Sequence, residues 1–279
     1  MDRQRCSSGS SSFWKGPAVG VLILSTALVA ACASPVPLRS GPPAGELTVF
    51  AAASLRDAFE EAAVAYHAET GTAIVLSFDA SSALRAQIEQ GAPADVFASA
   101  DTRNAAVLAE AGLIDGAPID FAANLLTIIV PAGNPAAIES PADLAREGVS
   151  IVAAGDEVPI TGYAVEVVGN LGDLDGYPPG FAEAVHANIV SREDNVRAVV
   201  AKIALGEGDA GIVYLTDASS AGDAVVSIAI PEEANVPATY TAGVVGAAQQ
   251  TAEGHAFLDW LTGPDGQAIL MDHGFVPAP

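Results

Sequence analysis

Short apolar runs, each followed at once by a helix start, recur along this chain, and that alternation narrows its fold more than any other feature. Residues 47–51 form a brief β-prone run. Ser54 then opens a helix in which Leu55, Ala58, Phe59, Ala62 and Tyr66 repeat at helical spacing. Asp57 stands where the acid of a capping box would, and Gly71 is the stop. Residues 74–76 read as the next strand, and Ser81 or Ser82 starts a helix that turns Leu84 and Ile88 inward. Residues 96–98 read as a third strand, with Asp101 capping a helix that carries Ala105, Leu108 and Ala109. The order β-α-β-α-β-α predicts a mostly parallel sheet flanked by helices, because parallel strands need long crossovers.

A second set follows. Residues 125–130 are strand-like and stop at Pro131. Ser140-Pro141-Ala142-Asp143 combines a cap, a Pro at the first helical position and an acid at the third. Further strands are expected at 149–152, 212–214, 225–230 and 239–245. Helices are expected at about 160–170, after Asp194 with Val196, Val199, Val200 and Ile203 inward, around Phe257, Trp260 and Leu261, and over 265–272. Residues 172–180 read as a Gly/Pro/Asp-rich loop. The 279 residues then suit two α/β lobes, one over 46–123 completed by 240–279 and the other over 124–239, with a cleft between them.

The first 31 residues read as a leader. Arg3, Arg5 and Lys15 precede an uncharged stretch from Gly16 to Ala31 that ends in small residues before Cys32. The stretch is too short for a confident membrane span. Small residues directly before a Cys resemble the bacterial lipoprotein signal, which implies lipid attachment at Cys32. Residues 32–45, rich in Pro, read as a lipidated tether. The only cysteines are Cys6 and Cys32, so the body of the chain has no disulfide or thiolate metal site available.

Composition excludes some classes. Hydrophobic residues make up 51% of the chain, enough for a packed core. The formal charge of −23 falls to −25 once the leader takes three basic residues and one acid with it. That argues against nucleic acid, whose phosphates are held by clustered Lys and Arg. Gly206-Glu207-Gly208-Asp209-Ala210-Gly211 spells a dinucleotide-binding string, but it follows a helix and precedes a strand, the reverse of the required context. The Asp173-Leu174-Asp175-Gly176 stretch lacks the later ligands of a calcium loop. The four histidines are scattered, and no nucleophile motif occurs.

What remains are hydroxyls and backbone N–H groups at helix starts that follow strands, in Phe50-Ala51-Ala52-Ala53-Ser54-Leu55 and Phe78-Asp79-Ala80-Ser81-Ser82-Ala83-Leu84. A helix start carries unpaired N–H groups and a partial positive charge, which suits an anion. Each such serine also suits plain capping. As a set they point to anion binding.

The chain resembles the periplasmic molybdate-binding proteins of bacterial ABC importers over residues 46–279. The matching stretches are Thr48-Val49-Phe50-Ala51-Ala52-Ala53-Ser54-Leu55, Gln87-Ile88-Glu89-Gln90-Gly91-Ala92-Pro93-Ala94-Asp95-Val96-Phe97-Ala98-Ser99-Ala100-Asp101, Val158-Pro159, Glu193-Asp194-Asn195-Val196-Arg197, Gly211-Ile212-Val213-Tyr214, and the ending with Gly263-Pro264 and Gly274-Phe275. The resemblance implies a two-lobed periplasmic-binding-protein fold that closes on a tetrahedral oxyanion held by neutral donors. It implies binding by Ser54, Ser81, Ile160, Val196 and Tyr214, with Ile160 and Val196 offering backbone N–H. Ser82 is an off-by-one alternative to Ser81. The family commonly has Gly two residues after Val-Pro. Here Thr161 stands there and Gly162 comes one later, so Thr161 is a possible additional donor.

The resemblance further implies a non-enzymatic, monomeric capture protein without cofactor or resident metal ion. It would be exported, either lipid-anchored on the outer face of the cytoplasmic membrane or periplasmic. It would pass molybdate, and tungstate with it, to an ABC permease. A receptor for sulfate or another tetrahedral oxyanion on the same fold is the alternative, and an enzyme on the same scaffold a remoter one.

Overall fold

The computed structural model describes residues 45–279. The leader over 1–31, Cys32 and the tether up to residue 44 lie outside the described residues. Among the described residues no helix is long and apolar enough to cross a membrane.

Ten strands and nine α-helices make an α/β fold in two lobes among the described residues. The first lobe is built on β1 (Glu46–Ala52), β2 (Ala73–Asp79), β3 (Val96–Ser99), β4 (Ile114–Asn124) and β10 (Ala238–Val245), in the order β2-β1-β3-β10-β4. β1 runs parallel to β2 and β3, while β10 runs antiparallel to β3 and β4. The second lobe has an antiparallel sheet of β8 (Gly211–Tyr214), β5 (Leu126–Pro131) and β9 (Val225–Ile228). Beside it lies a parallel pair, β6 (Ile151–Ala154) and β7 (Ile189–Glu193). A parallel bridge from Ile151 to Ala210 joins that pair to the approach to β8.

The sheets are therefore mixed rather than mostly parallel. The reason is the double crossing between lobes. β4 leaves the first lobe and β10 returns to it, so they pair antiparallel, as β5 and β9 do in the second. Asn235 clamps this crossing, accepting from Leu126 N at 3.1 Å and donating to Leu126 O at 2.8 Å.

Helices cover both faces of the first sheet, so its strands are apolar on both. Val49 and Ala51 of β1 face one core, while Phe50 faces a second with Leu84, Phe97 and Leu108. The first core receives α1 (Arg56–Thr70), α8 (Thr251–Leu261) and α9 (Pro264–Asp272); the second receives α2 (Ser81–Glu89) and α3 (Thr102–Glu110). Phe59, Tyr66 and Phe257 meet edge-on at 5.3–6.2 Å between ring centres. Gly71 ends α1 at φ +79°, a conformation that costs glycine little.

Several local expectations change. Ser54 lies inside a 3-10 turn (Ala53–Leu55) and caps nothing with its side chain. Asp57 turns away to Arg197 and Ser220 instead of closing a capping box. The cap of α6 (Val196–Ala204) is Asn195, not Asp194; its side chain accepts from Ala198 N. The Ser140–Asp143 capping box forms, but it opens only a 3-10 turn over Pro141–Ala145. β4, α5 (Phe181–Ala187), β7 and α7 (Leu215–Ala221) are elements that sequence reasoning did not find.

Candidate ligand site between the lobes

Strands that run parallel point their carboxyl ends the same way, and helix starts gather there. β1 ends at Ala52 and is followed by Ser54; β2 ends at Asp79 and is followed by Ser81 at the start of α2. In the second lobe β6 leads to Ile160 in the first turn of α4 (Pro159–Gly172), and β7 leads to Val196 at the start of α6. Tyr214 closes β8. All five face one small cavity, which Ala52, Ala80, Ala100, Val158 and Asn195 help to line. The cavity measures about 10 Å³, room for about one water.

No lining residue carries a formal charge. The first N–H groups of a helix have no intrahelical acceptor, so those at Ile160 and Val196 are available donors. Pro159, which has no N–H to lose, occupies the first position of α4 and sets Ile160 in its turn. Ser81 Oγ accepts from Ala100 N at 3.0 Å, and Ser54 Oγ shares a 2.8 Å hydrogen bond with the hydroxyl of Tyr240. Ser54, Ser81, Ile160, Val196 and Tyr214 are all at most 3% exposed.

The Tyr214 hydroxyl is buried with no hydrogen-bond partner among the described residues. Burial raises its pKa well above the usual tyrosine value, and Tyr240 and Tyr163 add to the effect. Burial likewise pushes Tyr163 up to about 12, with Asp101 adding to it. The Tyr214 phenol therefore keeps its proton and is a donor. Its ring meets Tyr240 at 5.7 Å and Tyr163 at 6.5 Å, both edge-on.

The two further candidates do not join this set. Thr161 Oγ1 donates back to the carbonyls of Ala154 at 3.1 Å and Gly155 at 2.9 Å, so its hydroxyl is committed to the end of β6. Ser82 lines a neighbouring, more open cleft with Asp79 and Glu193. A larger cavity of about 310 Å³ lies within the second lobe, lined mainly by Ile and Val side chains under α4. Among the described residues no group of three or more His, Cys, Asp or Glu is placed to hold a metal ion.

Sequence reasoning missed the groups behind the cavity. Arg197, next to Val196, reaches from the second lobe to Asp57 in α1. Its Nε lies 2.7 Å from Oδ1 of Asp217, which is fully buried. Burial pushes the Asp217 carboxyl up to about 7, outweighing the attraction of Arg197. Burial works against the Arg197 charge too, but Asp217 and Asp57 together raise its pKa. Asp57 is held below the usual carboxylate range: burial opposes this, but its bonds from Ser220 and Arg197 prevail. A second tie between the lobes runs from Asn195 Nδ2 to Asp79 Oδ1 at 3.3 Å. Arg197 and Asn195 stood in the motif carried by Val196, which was the one signal for them. Tyr240 and Asp217 left none.

Comparison with known proteins bears on this arrangement. Residues 47–276 match the family model described as bacterial extracellular solute-binding protein. The molybdate-binding protein ModA of Mycobacterium tuberculosis H37Rv is 38% identical over 270 residues, covering 94% of this chain and 98% of that protein. The structure of the periplasmic molybdate-binding protein of Azotobacter vinelandii aligns with a TM-score of 0.71 at 26% identity, over 84% of this chain and all of that one. The sulfate-binding protein SubI of Mycobacterium tuberculosis aligns with a TM-score of 0.74 over 83% of this chain and 86% of that one. At 21% identity it shows a shared fold alone.

Proposed function

Because the chain belongs to the bacterial extracellular solute-binding protein family, we propose that it captures molybdate, and tungstate with it, and delivers the anion to an ABC importer. The observation that carries this reading is the convergence of Ser54, Ser81, Ile160, Val196 and Tyr214, from both lobes, on one cavity without a charged lining residue. These are the positions that the resemblance to molybdate-binding proteins picks out. A fully deprotonated tetrahedral oxyanion only accepts hydrogen bonds, so a cradle of donors is its complement. In a dry site each charge-assisted bond is worth about 1.5–3 kcal/mol. Each lobe supplies only part of the cradle, so affinity depends on closure, and an anion larger than water is seated only after the lobes part.

In this reading residues 1–31 are a signal peptide, and Cys32 is the lipidated first residue of the exported chain. Residues 32–45 are its tether. The first lobe comprises 46–123 and 240–279, the second 124–239. The protein acts as a monomer without catalysis or cofactor. Molybdate and tungstate are nearly equal in size, so it discriminates poorly between them.

Calorimetric titration with molybdate, tungstate, sulfate and phosphate tests the reading. Tight binding of the first two and weak or no binding of the others is expected. Sulfate bound as tightly as molybdate would overturn it in favour of a general oxyanion receptor. The anchor is tested by mass spectrometry of membrane-extracted protein, where a diacyl addition at Cys32 is expected.

A further inference from the structure

We propose that Tyr240 is a positioning residue that aims the Ser54 hydroxyl proton into the cavity, so that the site selects oxyanions carrying no proton. The inference rests on the molybdate-capture reading above.

A serine hydroxyl in a buried site can face a ligand as donor or as acceptor, and its neighbours decide which. Ser54 Oγ lies 2.8 Å from Tyr240 Oη, a contact between residues 186 positions apart and both buried. Among the described residues Ser54 Oγ is the hydrogen-bond partner of the Tyr240 hydroxyl, so a Tyr240 proton turned elsewhere would be buried without an acceptor. Burial keeps Tyr240 protonated, with the nearby Asp217 reinforcing it.

The protons then order themselves in one direction. Tyr240 donates to Ser54 Oγ, and the Ser54 proton is left to point away from Tyr240, into the cavity. Aligned bonds of this kind polarise one another and strengthen the terminal donor. Ser81 is set the same way by a simpler device, since its Oγ already accepts from Ala100 N. A ligand bearing a proton, such as hydrogen arsenate or hydrogen phosphate, meets donors on both sides and leaves its own proton unpaired. Tyr240 lies in β10, the strand that returns from the second lobe to the first.

The test is a double-mutant cycle of Ser54→Ala and Tyr240→Phe, titrated with molybdate and with hydrogen arsenate at about pH 8. Tyr240→Phe keeps the ring and its packing. It is expected to weaken molybdate about tenfold, the scale of one hydrogen bond to a charged group. It is also expected to cut the molybdate-to-arsenate ratio by a similar factor, because the freed Ser54 can turn a lone pair to the ligand. In the Ser54→Ala background Tyr240→Phe is expected to do nothing further. A merely structural role for Tyr240 would give additive losses at an unchanged ratio, and that result overturns the proposal.

Failure of the wild-type protein to bind molybdate would overturn the functional reading and the Tyr240–Ser54 relay with it. Wild-type binding with additive losses overturns the relay alone.

Discussion

Tyr214→Phe should move the stability of the ligand-free protein and its anion affinity in opposite directions. The ring is only 1% exposed and packed edge-on against Tyr163 and Tyr240, and Phe preserves that packing. The lost hydroxyl has no protein acceptor among the described residues. An unsatisfied buried polar group costs about 1–3 kcal/mol, so its removal should stabilise the ligand-free fold by up to that amount. For a domain of this size each kcal/mol shifts Tm by about 2–4 °C. With the anion bound the same hydroxyl makes a charge-assisted bond of about 1.5–3 kcal/mol, so affinity should drop by roughly 10- to 150-fold. Scanning calorimetry without ligand and with saturating molybdate reads both effects. The expected signature is a ligand-free Tm unchanged or raised, with a smaller rise on adding molybdate. A lowered ligand-free Tm at unchanged affinity would refute the reasoning. It would mean that the hydroxyl serves the fold and the ligand sits elsewhere.

Three other outcomes follow from the same geometry. Asp217 binds its proton more tightly in the folded protein, at about 7 against an ordinary 3.8, so its contribution to stability is full below the ordinary value and is lost as pH rises through about 7. Urea unfolding at pH 5 and pH 8 should therefore show a loss of order a few kcal/mol in the wild type that Asp217→Asn removes, since Asp57, Asp143 and Glu193 are held low and already ionised in that window. Arg197→Met removes the cation beside Asp217, whose carboxyl then takes up a proton, so it should cost about 1–2 kcal/mol at pH 8 and less at pH 5 by chemical unfolding. Adding Asp217→Asn should recover much of that stability, yet anion affinity should stay weak because the tie to Asp57 is gone. Gly266→Ala would place a Cβ 2.5 Å from the backbone of Leu261, where α8 meets α9, and should cost about 3 kcal/mol or more in an unfolding titration. A loss under about 1 kcal/mol would mean that this helix pair yields easily.

The elements that sequence reasoning recovered are those whose pattern is local. Leu55, Ala58, Phe59, Ala62 and Tyr66 repeat at helical spacing and are buried or nearly so, and Gly71 ends that helix in a left-handed turn. β4 escaped because Gly116 and Pro118 break its alternation and its middle is exposed; pairing with β10 holds it extended. β7 alternates weakly, α5 and α7 span seven residues each, and such short elements owe their form to packing rather than propensity. The parallel sheet expected from β-α-β alternation is accurate for β1, β2 and β3. It fails where β10 returns from the other lobe, an event with no local signature.

The candidate site divides along the same line. Its donors follow a local grammar of strand end, small residue and helix start, which is why Ser54, Ser81, Ile160 and Val196 are legible. The groups that orient those donors are not. Tyr240 reaches Ser54 from across the chain, and Arg197 meets Asp57 across 140 positions. In sequence a tyrosine in a buried strand looks like core, and an arginine on a helix looks like surface. The formal charge of −23 misleads for a related reason, since it counts surface acids while the cavity lining has no charge. Composition reports what the solvent meets, and an anion enclosed by neutral donors is sheltered from that field by screening over about 8 Å. Recognition in such a site depends on the direction of a few protons. That direction is set by contacts such as Tyr240 on Ser54 and Ala100 on Ser81, which exist only once the chain has folded.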